Sequence, residues 1–270
     1  MRIAVIGAGG VGGYYGGLLA AAGEDVAFIA RGAHLQAMRG QGLRISDRQR
    51  DIHLQPTQAT DDPAAIGPVD VVLFCVKLYD TETAGALVAP LLGPETILVP
   101  LQNGVDSAER LARFVAPECI LPGAAWLYAH IQAPGVVRCT SEKSGIAFGE
   151  VDGRESERAR AFAAAAESAG IEVKLSPEIE KELWSKFAQL ASNAALSTLS
   201  RLNLYHVYRD PDLRPLIEAA IGEAMQVAAA KGIRLDDDLI ARTMALGDGF
   251  PPDLTNSMHN DLKAGRRLEV

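Results

Sequence analysis

The 270-residue chain is 48% hydrophobic and 22% charged. That is enough apolar material to bury a core without disulfides or a metal, and it excludes disordered, collagen-like and mini-protein classes. Its 26 basic and 34 acidic residues leave a net charge of −8, which argues against general phosphate-backbone binding, so no nucleic-acid partner is expected.

At roughly 150 residues per domain the length gives a soft expectation of about two domains. Residues 3–23 carry no charge and include eight glycines, a composition that superficially suits a signal peptide or a membrane span. The glycines fall in a pattern, however, and a glycine-rich turn between a short strand and a helix explains the stretch, so no membrane partner is expected. The first elements read as a strand at 3–6, a small-residue helix at 11–22 and a strand at 25–30. A helix at 33–39, a short strand pair near Leu43 and Ile52, and a continuous apolar strand at 71–76 follow. The apolar run suits a buried central parallel strand. Then come a helix at 81–89, a strand at 96–100 and a helix at 107–114. This alternation predicts an α/β fold, a doubly wound Rossmann-type sheet with right-handed crossovers.

From residue 124 the pieces shorten: strands at 124–131, 136–139 and 145–148, a helix at 155–169 and a strand at 171–175. They predict an antiparallel extension of the same sheet. Beyond Pro177 only helical patterns remain, at 178–199, 213–231, 236–246 and 254–264, the last stopped by Gly265. The expected organisation is a nucleotide-binding domain over residues 1–176 and an all-helical substrate and catalytic domain over 177–270.

Gly7, Ala8, Gly9, Gly10, Val11 and Gly12 match the GxGxxG dinucleotide fingerprint, in the required position between a strand and a helix. The first glycine permits the tight turn, the second lets backbone approach a pyrophosphate, and the third packs helix on strand. At the end of the second strand, where NAD-selective folds carry an acid for the ribose 2′-OH, this chain has Ala30, Arg31 and Gly32. Arg31 suits a 2′-phosphate, so NADP(H) is the expected cofactor. A ligand-free glycine turn and a solvated surface arginine are the plain alternatives.

Cys75, Cys119 and Cys139 are odd in number and widely spaced, with no CxxC pair, which predicts neither a disulfide framework nor a zinc site and fits a reducing cytoplasm. The histidines are scattered and read as surface or core residues, and Trp126 and Trp184 read as core.

Three further segments stand out: Phe74-Cys75-Val76-Lys77, Leu101-Gln102-Asn103-Gly104 and Glu182-Leu183-Trp184-Ser185-Lys186. With the glycine loop, and with Asp210 to Arg214, Glu223, Lys231-Gly232, Ser257-Met258 and Leu268-Glu269, they resemble the ketopantoate reductase (2-dehydropantoate 2-reductase) family in order and spacing over essentially the whole chain. The resemblance implies that Lys186 is the general acid that protonates the ketone oxygen and that Asn103 lies between cofactor and substrate. It also implies that Lys77 lines the nucleotide side and that Ser257 and Glu269 hydrogen-bond the substrate. The chemistry agrees, because reducing a 2-oxo acid builds negative charge on an oxygen that an ammonium both stabilises and protonates.

On its helix Lys186 lies roughly 70° from the centre of the apolar stripe of Leu183, Phe187, Leu190 and Ala194, and Asn193 about 20° further. Both border the buried face, which makes Asn193 a further substrate-binding candidate; a snorkelling boundary lysine is the other reading of Lys186. Two positions depart from the family pattern. Leu190 stands where the pattern has an asparagine four residues after the lysine, and Asn203 is one residue off a later one. The family also continues through another helix or two beyond Val270, so a shortened chain with a poorly held Glu269 is expected.

The expected function is NADPH-dependent reduction of ketopantoate to pantoate in pantothenate and coenzyme A synthesis. Reduction of another 2-oxo acid or an imine, and NADP(H) sensing without turnover, stay open. The expected partner is a small-molecule 2-oxo acid, with room for a homodimer.

Overall fold

The computed structural model describes residues 1–141 and 144–269. Val270, the last residue of the expected second domain, lies outside them. The chain divides into two units, Met1–Ile179 and Glu180–Val270, where the sequence reading placed its division after residue 176.

In chain order the first unit contains β1 (Arg2–Ile6), α1 (Gly10–Ala21), β2 (Asp25–Ile29), α2 (Gly32–Gln41), β3 (Leu43–Ser46), β4 (Asp51–Leu54), β5 (Gln58–Thr60) and β6 (Val69–Phe74). It continues with α3 (Thr81–Gly85), β7 (Leu92–Pro100), α4 (Ser107–Leu111), β8 (Gly123–Trp126), β9 (Ala129–Ala133), β10 (Val136–Cys139), β11 (Gly145–Phe148), α5 (Glu157–Ser168) and β12 (Glu172–Leu175). Five strands pair in the order β5-β2-β1-β6-β7, all parallel. Alternate residues of β1, β6 and β7 feed two cores. Ile3, Val5, Val71, Leu73, Ile97 and Val99 face one, and Ala4, Ile6, Val72, Phe74 and Leu98 face the other. Burial on both faces is why residues 71–74 read as an unbroken apolar run.

The glycines of α1 have a packing reason. A Cβ at Gly16 would stand 2.7 Å from both Phe28 and Val5, on the side of the parallel sheet, while Cβ atoms at Gly13 and Gly17 would meet Val137 at 2.9 Å and Ile45 at 2.8 Å. The helix therefore lies between two sheets and is buried on opposite sides, so its composition mimics a membrane segment. Among the described residues no helix is long and apolar enough to cross a membrane.

The second sheet corrects the expectation of an antiparallel extension. The later strands do not join the parallel sheet; they form two separate ones, β4-β3-β10-β9 and β12-β11-β8. The stretch 124–131 is not one strand: β8 pairs with β11 and β9 with β10, so the chain leaves one sheet for the other at Leu127 and Tyr128. Trp126, expected in the core, is 42% exposed at that crossing.

The second unit is helical: α6 (Ile179–Ser200), α7 (Leu204–Val207), α8 (Leu213–Ala230), α9 (Leu239–Asp248) and α10 (Ser257–Lys263). Tyr208, fully buried just after α7, takes space left by Gly247, where a Cβ would come within 1.9 Å of its ring. Its hydroxyl donates to Asn193 Oδ1 at 2.8 Å.

Asn256 caps α10 by accepting from the His259 amide at 2.9 Å. Its Nδ2 donates to the Asn193 carbonyl at 3.2 Å and to Ser197 Oγ at 2.5 Å. At 3% exposure these bonds have no water to replace them. Asn256→Ala is expected to cost about 1–3 kcal/mol, the range for losing a cap and leaving buried partners unpaired; urea denaturation checks it, and an unshifted midpoint would refute it.

Candidate active site

The strand order reverses at β1, with β2 on one side and β6 on the other, and ligands of open α/β sheets bind outside the carboxyl ends of the strands at such a switch point. The loop from β1 to α1 starts at this place. Gly7 has φ +91°, which a side chain rarely adopts, and its N–H donates to Ile29 O at 3.1 Å. A Cβ at Gly12 would stand 2.4 Å from Gly7 O and 2.8 Å from Val5 Cγ1, so the helix rests directly on the strand and the turn. One at Gly10 would stand 2.1 Å from Ala129 O, which brings the start of β9 onto the first turn of α1.

Gly9 differs from these. Nothing lies within 4 Å of a Cβ built there, and as the N-cap of α1 it makes no side-chain capping bond. Open space beside the first-turn amides at the positive end of a helix is the cradle that a pyrophosphate fills. The open first turn at Gly9 therefore fits the pyrophosphate of a nicotinamide dinucleotide. Arg31, exposed at the N-cap of α2, stands two residues beyond Ile29, whose carbonyl holds the glycine turn.

The neighbouring strands end in register with this loop. Cys75 N donates to Ile6 O at 2.8 Å and Leu101 N to Phe74 O at 3.0 Å, so Lys77 follows the carboxyl end of β6 and Asn103 that of its neighbour β7. Both are half-buried. Gln102, between them in space, is a residue the sequence reading passed over: 5% exposed, it donates through Nε2 to Val76 O at 3.0 Å and Thr81 Oγ1 at 2.9 Å. It ties the Asn103 turn to the segment that carries Lys77. The only signal for it was its place in Leu101-Gln102-Asn103-Gly104, where the asparagine drew the attention. Burial pushes the Cys75 thiol up to about 12, which keeps it protonated and inert.

In the second unit Lys186 lies on α6, half-buried, and burial pulls its ammonium down to about 8. Leu183, Trp184 and Ala188 are buried around that turn, and Trp184 packs edge-on against Phe187. The buried face of α6 is thus wider than the expected stripe, and it includes Ser192 and Ser197. Asn193 sits further along the helix with its side-chain oxygen accepting from Tyr208. Ser257 opens α10 and is exposed; Glu269, beyond the helix, is half-buried.

The family described as Ketopantoate reductase PanE/ApbA matches residues 3–153, and its C-terminal family matches residues 178–270. A 2-dehydropantoate 2-reductase of Archaeoglobus fulgidus is 31% identical over 271 residues, covering 100% of this chain and 87% of the relative. The crystal structure of 2-dehydropantoate 2-reductase from Geobacter metallireducens superposes with a TM-score of 0.93 at 29% identity, covering 100% of this chain and 89% of the other. A D-mandelate dehydrogenase solved with NADH and anilino(oxo)acetate shares the fold, with a TM-score of 0.89 at 22% identity over 100% of this chain and 88% of that one. With its parallel nucleotide-type sheet and its helical second unit, the chain belongs to the ketopantoate reductase family, oxidoreductases acting on a CH–OH/C=O group.

Proposed function

We propose that the chain uses NADPH to reduce a 2-oxo acid to the 2-hydroxy acid, with ketopantoate the favoured substrate and pantoate, for pantothenate and coenzyme A synthesis, the product. The observation that carries this reading is Lys186, an ammonium that burial brings to about 8 on a half-buried helix face. A group with its pKa near the working pH both holds a proton and gives it up readily.

A bound dinucleotide would supply a hydride to the C2 carbonyl carbon. Lys186 would hold its ammonium proton at the carbonyl oxygen, donate it there as the π electrons shift onto that oxygen, and be reprotonated from solvent. Asn103, Ser257 and Glu269 are assigned to hydrogen-bonding the substrate, and Lys77 to the nucleotide. Asn193, with its oxygen already held by Tyr208, would act through its amide N–H groups. Three unbridged cysteines support a reducing, cytoplasmic setting.

The preference for NADPH rests on Arg31. Arg31→Ala is expected to weaken NADPH by about ten- to a hundredfold, the worth of one charge-assisted hydrogen bond, and to leave NADH affinity unchanged. Fluorescence titration with both cofactors measures it, and equal affinities in the unmodified protein would refute the assignment.

Leu190 favours a second reading, reduction of a different 2-oxo acid, since a half-buried leucine occupies the position of an amide in the family pattern. Loss of nicotinamide absorbance on adding ketopantoate, pyruvate, phenylglyoxylate or a cyclic imine separates the cases. Ketopantoate is expected to turn over fastest. Turnover of the imine alone would replace the oxo-acid reading, and NADPH binding without any turnover would mark a sensor.

A further inference from the structure

At the carboxyl ends of β6 and β7 side chains take over from the backbone ladder. Leu101 N–H donates to the Phe74 carbonyl at 3.0 Å, and past that bond the Gln102 side chain reaches across to the segment that follows β6. Its Nε2 donates to the Val76 carbonyl at 3.0 Å and to Thr81 Oγ1 at 2.9 Å. These partners fix which way round the amide sits. A carbonyl cannot donate, and the Thr81 hydroxyl donates its own proton to the Leu78 carbonyl at 2.8 Å, so both contacts require the NH2 end.

The Val76 carbonyl belongs to the peptide that ends in Lys77 N, and Gln102 is itself joined by a peptide to Asn103. One side chain therefore fixes the spacing of the two residues that the reductase reading assigns to the nucleotide and to the substrate. The same amide leaves its Oε1 buried without a hydrogen-bond partner among the described residues, in a side chain that is itself 5% exposed. An unpaired buried acceptor is a cost to the fold. An aliphatic residue would carry no such cost, so placement accounts for the amide better than stability does.

We propose that Gln102 is a positioning residue: its amide holds Lys77 and Asn103 at the separation the dinucleotide needs, without itself touching cofactor or substrate. The proposal rests on the reductase reading. Every group in it lies in the first unit, so cofactor binding tests it apart from turnover.

NADPH is titrated by fluorescence into the folded apoproteins well below their melting temperatures, with kcat and KM for ketopantoate measured alongside. Gln102→Met keeps the length and drops the amide. Thr81→Val keeps the shape and removes one acceptor from Gln102, while the Leu78 carbonyl still accepts from Arg110 at 2.7 Å. Thr96→Val is the structural control, because the buried Thr96 hydroxyl ties the amino ends of the same two strands, donating to the Val69 carbonyl and accepting from Gly93 N–H at 2.7 Å.

Gln102→Met is expected to weaken NADPH about three- to tenfold, the worth of hydrogen bonds between neutral groups, and to lower kcat about ten- to a hundredfold through misplacement. Thr81→Val should move both in the same direction by less, and Thr81→Ser should keep both near the unmodified values. Thr96→Val should lower the melting temperature alone. In a Lys77→Ala background Gln102→Met should weaken NADPH less than it does by itself, since the two act through one group. Unchanged NADPH affinity and kcat in Gln102→Met, or in Thr81→Val should the first variant not fold, would overturn the positioning role. Equal effects from Thr96→Val, or full additivity with Lys77→Ala, would overturn it as well. If the unmodified chain turns over no oxo acid, the reductase reading falls, and the NADPH titrations still decide whether Gln102 positions the cofactor site.

Discussion

Lys186→Ala will lower kcat by about 10²- to 10⁴-fold, the usual contribution of a positioned general acid, while NADPH titrates as in the unmodified protein. In the proposed reaction the ammonium is the active form, and burial brings it to about 8, so kcat/KM should hold below that value and fall as pH rises through it. The variant should lose this alkaline limb. The same burial has a cost for folding. Holding the proton where the pKa drops from 10.5 to about 8 costs on the order of 3 kcal/mol at neutral pH. The cost is fully present below about 8 and fades as pH rises towards 10.5, where the unfolded chain also gives up its proton. Lys186→Met, which keeps the length and drops the charge, is therefore expected to melt higher than the unmodified protein while being nearly inactive. Turnover like that of the unmodified protein in a folded variant would show that another group supplies the proton, and a lower melting temperature would show that the ammonium stabilises the fold.

The second large effect separates two glycines of one loop. At Gly12 a side chain would press on the Gly7 carbonyl and Val5, atoms of the sheet and turn that cannot move aside. Gly12→Val is expected to destabilise the apoprotein by about 1–3 kcal/mol or more, as overpacking does. At Gly9 the space is open and φ is −75°, so Gly9→Ala should leave the apoprotein melting temperature unchanged. Its methyl would instead occupy the space assigned to the pyrophosphate, lowering NADPH affinity by about ten- to a hundredfold if the clash costs as much as other overpacking. Thermal melts with and without NADPH measure both variants together. A Gly9→Ala protein that is stabilised by NADPH as fully as the unmodified one would remove the phosphates from this loop.

Local signals carried a good part of this protein. The strand-turn-helix at the N-terminus, the spacing of Gly7, Gly9 and Gly12, the apolar run into β6 and the change to purely helical periodicity after Pro177 are each written in short windows of sequence. Backbone sterics and side-chain periodicity act over such windows. The candidate residues Arg31, Lys77 and Asn103 were legible for the same reason, since each follows a strand whose end the pattern marks.

Beyond the parallel sheet and the β3–β4 pair, strand pairing was not legible, because it joins segments far apart in the chain. Residues 124–131 read as one strand of one sheet, yet β8 finds β11 and β9 finds β10, and nothing local to that stretch specifies either partner. Only the packing of α1 between two sheets explains its glycines at 13, 16 and 17. Only burial in the folded chain lowers the Lys186 ammonium, and the crossing between two sheets is what turns Trp126 outward from the core it was expected to fill. Composition and spacing determined which kinds of element form and where the glycine loop lies. The tertiary structure decided which faces are covered, because coverage depends on partners that only the folded chain brings near.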